Sequence, residues 1–340
     1  MTALATSRQA PSHRLCTAPM MDWSDRHCRY FFRQLTRHAL LYTEMVTTGA
    51  LIHGDAARHL EFDPAEHPVA LQLGGSEPAE LAAAARLGAR RGYDEINLNC
   101  GCPSERVQHG AFGACLMREP ELVADCVKAM QDAAGVPVTV KHRLGVDDIT
   151  DFDFVRRFVE ILAGRAGCRT FIVHARNAVL RGLSPKENRE VPPLRYDAVF
   201  RLKREFPQLT IVLNGGLHSW PEIDAALDRV DGVMLGRAAY HDPYLLTAAD
   251  RRVFGAVAEP PSRREVARAM MVYARREAER GTPLRAITRH MLGLYHGRPR
   301  ARVWRRLLSD SAGLAEGRPE LLLDALDAVE RNVQPAAEPA

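Results

Sequence analysis

The sequence predicts an α/β protein: a (β/α)8 TIM barrel followed by a small all-helical C-terminal domain. Eight short apolar runs recur through the first 240 residues, helical segments separate them, and the strand pattern stops beyond Pro260-Pro261. The runs are 15–20, 40–46, 69–73, 95–98, 136–141, 170–174, 210–213 and 232–235, and between them lie helical stretches such as 78–91, 119–134, 151–163, 196–206 and 219–228. Val/Ile/Leu runs that alternate with helices indicate a parallel sheet covered on both faces. Eight such units match a closed barrel in count and length. The alternative, a doubly wound open sheet, calls for a Gly-x-Gly-x-x-Gly turn after the first strand, and none is present.

After the prolines, 263–280, 285–293, 301–309 and 320–333 read as helices, with Val266, Met270, Val272 and Tyr273 able to face inward. The expected divisions are a flexible N-terminus at 1–14, the barrel at 15–255, the helical domain at 262–333 and a disordered Ala/Pro-rich tail at 334–340. With 340 residues, 46% hydrophobic and 26% charged, the chain has the composition of a globular protein large enough for two cores. Seven irregularly spaced cysteines do not describe a disulfide framework, and residues 1–8 lack the apolar core of a secretory signal. No run reaches the ~20 apolar residues of a membrane span. A cytoplasmic protein without a membrane partner is the expectation.

The net charge of +4 conceals an asymmetry. Residues 262–306 hold thirteen Arg, no Lys, no Asp and three Glu, a net of +10 that leaves −6 for the remainder. A basic module on a mildly acidic body suits a polyanionic partner; a solvated helical face is the plainer explanation, and charge alone does not separate them.

Polar residues gather where the strands end. Met20, Met21 and Asp22 close the first run, Glu44 the second, Gln72 the third, Asn99 and two cysteines the fourth, and Lys141-His142-Arg143 the fifth. His174-Ala175-Arg176, Asn214-Gly215-Gly216 and Gly236-Arg237 close the sixth, seventh and eighth. Barrel active sites are assembled at this rim. One such residue is an ordinary loop polar group; eight rim positions behaving alike are a site. Gly215-Gly216 and Gly236-Arg237, after strands seven and eight, let backbone N–H groups approach a phosphate, with Arg237 adding charge. Gln72, Lys141 and His174 then stand where a phosphate-bearing cofactor would place its head group. A strand-end lysine beside an electron-accepting ring stabilises the negative charge of its reduced form.

Between strands four and five the chain reads Leu98-Asn99-Cys100-Gly101-Cys102-Pro103-Ser104. Cys-x-Cys is tighter than zinc spacing and no second pair follows, so no metal is expected. Either thiol could act as an acid, or both could be structural; only one is expected to face the barrel mouth.

Taken in order, the motifs resemble the bacterial tRNA-dihydrouridine synthases, and within them the DusA subfamily. The carrying residues are Ala18-Pro19-Met20-Met21-Asp22-Trp23-Ser24-Asp25, Thr43-Glu44-Met45, the 98–104 turn and Val140-Lys141-His142-Arg143-Leu144-Gly145. They continue with Val173-His174-Ala175-Arg176, Gly182 to Arg189, Asn214-Gly215-Gly216 and Arg289 to Leu294, so that the likeness runs from about Ala18 to Arg306. The resemblance implies an FMN enzyme that uses NADPH to reduce the C5–C6 bond of D-loop uridines (20 and 20a) in tRNA. It implies that Pro19, Met20, Met21, Gln72, Lys141, His174, Asn214, Gly215, Gly216, Gly236 and Arg237 hold FMN, and it makes Cys102 the proton donor. Asn99, Arg176, Lys186 and Arg189 become candidates for contact with the flipped uridine and the tRNA, and Arg302 and Arg305 for phosphate contacts from the basic helices. A monomer is expected. Two rivals are a flavin barrel acting on a small molecule, which needs no +10 appendage, and a catalytically silent RNA binder, which would be colourless.

Overall fold

The computed structural model describes residues 10–104 and 112–330. Its strands are β1 (Leu15–Thr17), β2 (Leu41–Thr47), β3 (Val69–Gly74), β4 (Glu95–Cys100), β5 (Val138–His142), β6 (Thr170–His174), β7 (Thr210–Asn214) and β8 (Gly232–Leu235). They form one sheet in the order β1-β8-β7-β6-β5-β4-β3-β2, and every pairing is parallel. The ring is closed by β1 and the residue before β2: the Thr17 N–H donates to the Leu40 carbonyl at 2.9 Å, and the Leu40 N–H to the Leu15 carbonyl at 3.1 Å. The expected (β/α)8 barrel is therefore the observed one.

Successive strand residues point to opposite faces. Cys16, Ala18, Leu40, Tyr42, Ala70, Ile172, Val212 and Met234 form the packed interior, with Met20 resting on it. The other parity is covered by helices; Leu71 and Ile96, for example, lie against Gly88 of the helix Pro78–Arg91. That helix begins with Pro at its first position and ends at Gly92 in the left-handed region, and Pro120–Ala134 repeats the device with Gly135.

Several strand limits differ from those the apolar runs suggest. β1 stops at Thr17 because Pro19 has no N–H to give a ladder. β4 continues through Cys100 and β5 through His142, which makes Asn99, Cys100 and His142 strand residues. β4 is also not a plain apolar run: Glu95, Asn97 and Asn99 alternate with Ile96, Leu98 and Cys100, and all six are buried.

The described residues of Met1–Arg26 and His38–Gly236 make one compact unit, and those of His27–Arg37 and Arg237–Ala340 make the second. The pattern-based boundary at 255–262 is a different cut: the helix Arg26–Arg33 and the segments that follow β8 group with the C-terminal helices. In the second unit, Arg263–Glu279 is opened by a capping box between Ser262 and Glu265. Leu284–Thr288, Ala301–Ser309, Ser311–Ala315 and Leu321–Glu330 follow. The helix expected over 285–293 ends at Thr288, and the chain turns through Gly293, where any Cβ would meet the His241 carbonyl at 2.5 Å. Val266, Met270 and Tyr273 are buried as expected, but Val272 is 61% exposed. Two residues past Met270 is about 200° around a helix, the opposite face. The tail 334–340 and residues 1–9 of the N-terminal segment lie outside the described residues. Among the described residues no helix is long and apolar enough to cross a membrane.

The β1–β8 seam supplies a stability test. A Cβ on Gly232 would strike the backbone carbonyl of His13, which cannot swing aside as a side chain can. Gly232→Ala is expected to cost about 1–3 kcal/mol, read as a lower urea midpoint with an unchanged slope.

Candidate active site

Period-two alternation carries the interior face up to the barrel mouth. Above the apolar layer the same parity places Gln72 on β3, Asn99 on β4, Lys141 on β5, His174 on β6 and Asn214 on β7, and brings Gly236 just beyond β8. The strand pairings set Asn99 beside Lys141 and His174 beside Asn214. Six of the residues singled out from sequence thus converge as one layer. Pro19 and Met20 rise from the end of β1, half-buried, and Met21 is 57% exposed. Ser24 holds this turn: its hydroxyl accepts the Met20 N–H at 2.8 Å and donates to the Met20 carbonyl at 3.1 Å.

The two thiols have opposite environments. Cys100 is the last residue of β4 and fully buried, and burial holds its pKa well above the ordinary thiol value. Cys102 is half-buried in the turn beyond, with Sγ 3.5 Å from the Ser104 hydroxyl. Asn99 Oδ1 accepts the N–H groups of Gly101 and Cys102, both at 3.0 Å, and Asn99 Nδ2 donates to Gln72 Oε1 at 2.8 Å. Asn99 is 9% exposed, so its first work is to shape the cysteine turn. Arg143 clamps the turn from the other side. Its guanidinium donates to the carbonyls of Gly101 (3.1 Å), Asn177 (3.1 Å) and Asn188 (2.9 Å). Burial, opposed by the charge of Cys102, brings its pKa down to about 10.

The mouth carries an excess of unanswered positive charge. Among the described residues the Lys141 ammonium has neither a hydrogen bond nor a carboxylate partner. Burial, and then the Arg143 charge, lower its pKa to about 7. His174 is held neutral: burial first, then Arg143, Lys141, Arg176 and Arg189, push its pKa well below the ordinary value, and its buried Nδ1 has no partner. An anionic, ring-bearing ligand would answer both groups. His142, with the opposite parity, packs between Phe158 and Phe171 and is driven to about 4 by burial, so it belongs to the outer core.

Gly215 and Gly216 both have positive φ, +107° and +74°. A Cβ on the first would crowd the His174 ring at 3.2 Å, and on the second the Tyr196 hydroxyl at 2.6 Å. Tyr196 locks this turn by donating to the Gly215 carbonyl at 2.7 Å. A Cβ on Gly236 would find nothing nearer than Ala18 at 3.6 Å, so that backbone is open to approach. Arg237 follows it and opens the short helix Arg237–His241 of the second unit.

The proposed tRNA contacts fall into three groups. Lys186 and Arg189 are exposed on the loop after β6, whose fold depends on buried Asn188. Arg176 is half-buried and spends its guanidinium on the carbonyls of Glu190 and Pro192. Arg302 and Arg305 lie in the second unit, exposed, in a cleft of about 390 Å³ lined also by His296, Arg298 and Arg300. The basic segment is electrostatically divided. Arg264, Arg275 and Arg280 pair with Glu330, Glu320 and Glu277, whereas Arg298, Arg300, Arg302, Arg305 and Arg306 have no ion pair among the described residues. Sequence reasoning missed the work of Arg143, Asn97, Thr139 and Glu95. The signal for Asn97 and Glu95 is the polar alternation of β4.

A closed parallel barrel whose polar groups, half-buried thiol and uncompensated lysine share the C-terminal rim defines a TIM-barrel enzyme. Fold likeness agrees: a 2-naphthoyl-CoA reductase complex superposes with a TM-score of 0.55 at 10% identity, over 69% of this chain and 49% of that one. The chain belongs to the dihydrouridine synthase family, an oxidoreductase family, whose sequence model, Dihydrouridine synthase (Dus), matches residues 16–333. The tRNA-dihydrouridine(20/20a) synthase of Escherichia coli O6:H1 is 56% identical over 319 residues, covering 94% of this chain and 96% of that protein. That of Pseudomonas aeruginosa is 58% identical over 304 residues, covering 88% and 90%.

Lys141 gives the site a pH signature. Its lowered pKa means that the folded, ligand-free protein binds fewer protons than the unfolded chain between pH ~7 and the ordinary lysine range, so stability rises with pH across that window. Lys141→Met is expected to flatten that rise and to stabilise the ligand-free protein below pH 7 by about 1–3 kcal/mol, measured by denaturation at several pH values.

Proposed function

We propose that this protein is an FMN-dependent tRNA-dihydrouridine synthase that reduces the C5–C6 bond of D-loop uridines 20 and 20a, with NADPH as the reductant. The observation that carries the reading is the 56–58% identity, nearly end to end, with relatives named for that reaction. The rim supports it, because the residues present fit a flavin. Lys141 and the orphaned His174 Nδ1 offer charge and a hydrogen-bonding group to a polar ring edge, and the Gly215-Gly216 turn and open Gly236 backbone suit a phosphate, with Arg237 adjacent. Pro19, Met20 and Met21 supply apolar surface, and Asn214 and Gln72 would meet the ring with the hydrogen-bonding capacity left by their bonds to Met234 and to Asn97 and Asn99.

Reduced FMN, when bound, supplies the hydride for uracil C6. Cys102 then gives its Sγ proton to C5, a task open to the half-buried thiol and closed to buried Cys100. Lys141 offsets negative charge at the mouth, and Arg143 and Asn99 hold the Cys102 turn. Lys186 and Arg189 meet the tRNA near the mouth. Arg302 and Arg305 contact phosphates, which position the tRNA without reading its sequence. The uridine must leave its stack to reach the rim.

The decisive experiment maps dihydrouridine in tRNA incubated with the purified protein and NADPH. Product at 20 and 20a is expected; a yellow, reducible protein that leaves those uridines intact would overturn the proposal. Cys102→Ala is expected to keep flavin and tRNA binding and to lose about 10²-fold or more in rate, followed by single-turnover flavin reoxidation. Converting Arg302, Arg305 and Arg306 together to Ala is expected to weaken tRNA binding and to flatten the slope of log K against log salt by about 2, measured by a salt titration.

A further inference from the structure

Glu95, Asn97 and Asn99 stand one above another inside the barrel, from its closed end to its mouth. Register sets Asn97 between Gln72 of β3 and Thr139 of β5. A single hydrogen-bonded chain links them. Glu95 Oε1 accepts the hydroxyls of Tyr42 (2.5 Å) and Thr139 (2.7 Å), and Oε2 pairs with the His13 ring at 2.5 Å. Thr139 Oγ1 accepts from Asn97 Nδ2, Asn97 Oδ1 from Gln72 Nε2, and Gln72 Oε1 from Asn99 Nδ2, each at 2.8 Å. Asn99 Oδ1 then receives the Gly101 and Cys102 amides.

The chain has one sense. Thr139 owns a single hydroxyl proton and gives it to the carboxylate, so toward Asn97 it can only accept. That leaves Asn97 its oxygen for Gln72, Gln72 its oxygen for Asn99, and Asn99 its oxygen for the turn. Reversing any amide would set N–H against N–H or oxygen against oxygen. Glu95, Asn97, Gln72 and Thr139 are at most 1% exposed, so water cannot repair such a fault. Amides do not relay protons as hydroxyls do, so this is an orienting device and not a proton path.

We propose that Glu95, Thr139 and Asn97 are positioning residues for the Cys102 turn: the carboxylate at the closed end sets the sense of every amide up to the barrel mouth. The inference rests on the reading of Cys102 as the acid. Its test is hydrogen exchange at Gly101 and Cys102 in the flavin-loaded protein, alongside single-turnover flavin reoxidation by tRNA. Thr139→Val keeps the shape and removes the hydroxyl; both amides are expected to exchange about three- to tenfold faster, the effect of one buried hydrogen bond. Reoxidation is expected to slow with tRNA affinity unchanged, and Thr139→Ser, which restores the hydroxyl, to behave as wild type. Asn97→Leu makes the same test one bond further along, should Thr139→Val not fold. Leucine can neither donate to Thr139 nor accept from Gln72, so it breaks the chain. Wild-type exchange and rate in the Val or Leu variant would overturn the positioning role and leave Cys102 untouched. Full activity in Cys102→Ala would remove the acid and leave the exchange result standing.

Discussion

Closure of a parallel barrel permits each strand side chain two destinations, the interior or the helical coat, and the whole site depends on that restriction. Because the parity is strict, Cys16, Ala70, Ile172 and Val212 in the apolar layer dictate that Gln72, His174 and Asn214 reach the mouth on the same face. The backbone contacts of β1 with Leu40 complete the ring and remove the edge at which register could slip. A shift of one residue in β5 would exchange Lys141 for His142 and send the cation into the outer core.

Much of this was legible in the sequence. The apolar runs located eight strands to within a few residues, and the polar residues at their ends included most of the converging layer. What periodicity could not resolve was the fourth strand, where alternation is inverted. Glu95, Asn97 and Asn99 face inward among apolar layers, and their partners Tyr42, Thr139 and Gln72 come from three other strands. Such pairing is non-local and leaves no local pattern. The role of Arg143 was hidden for the same reason: its three acceptors lie at residues 101, 177 and 188. Which of the two cysteines is accessible also depended on where β4 ends.

The helical segment shows how composition and structure divide the same information. A count of thirteen arginines marks it as basic, but charge is free to act on a partner only where no carboxylate already answers it. Pairing of Arg264, Arg275 and Arg280 leaves the free arginines concentrated between residues 298 and 306. The Arg-rich helix Arg263–Glu279 is in this respect more architectural than its composition suggests. Tyr295 and Glu330 join Arg264 in holding helices together.

The unanswered charge of Lys141 also bears on stability. A barrel mouth that holds a buried ammonium without a counter-charge is less secure empty than filled, and any anion that binds there adds to the free energy of folding by mass action. The ligand-free protein is therefore expected to open more readily than the loaded one.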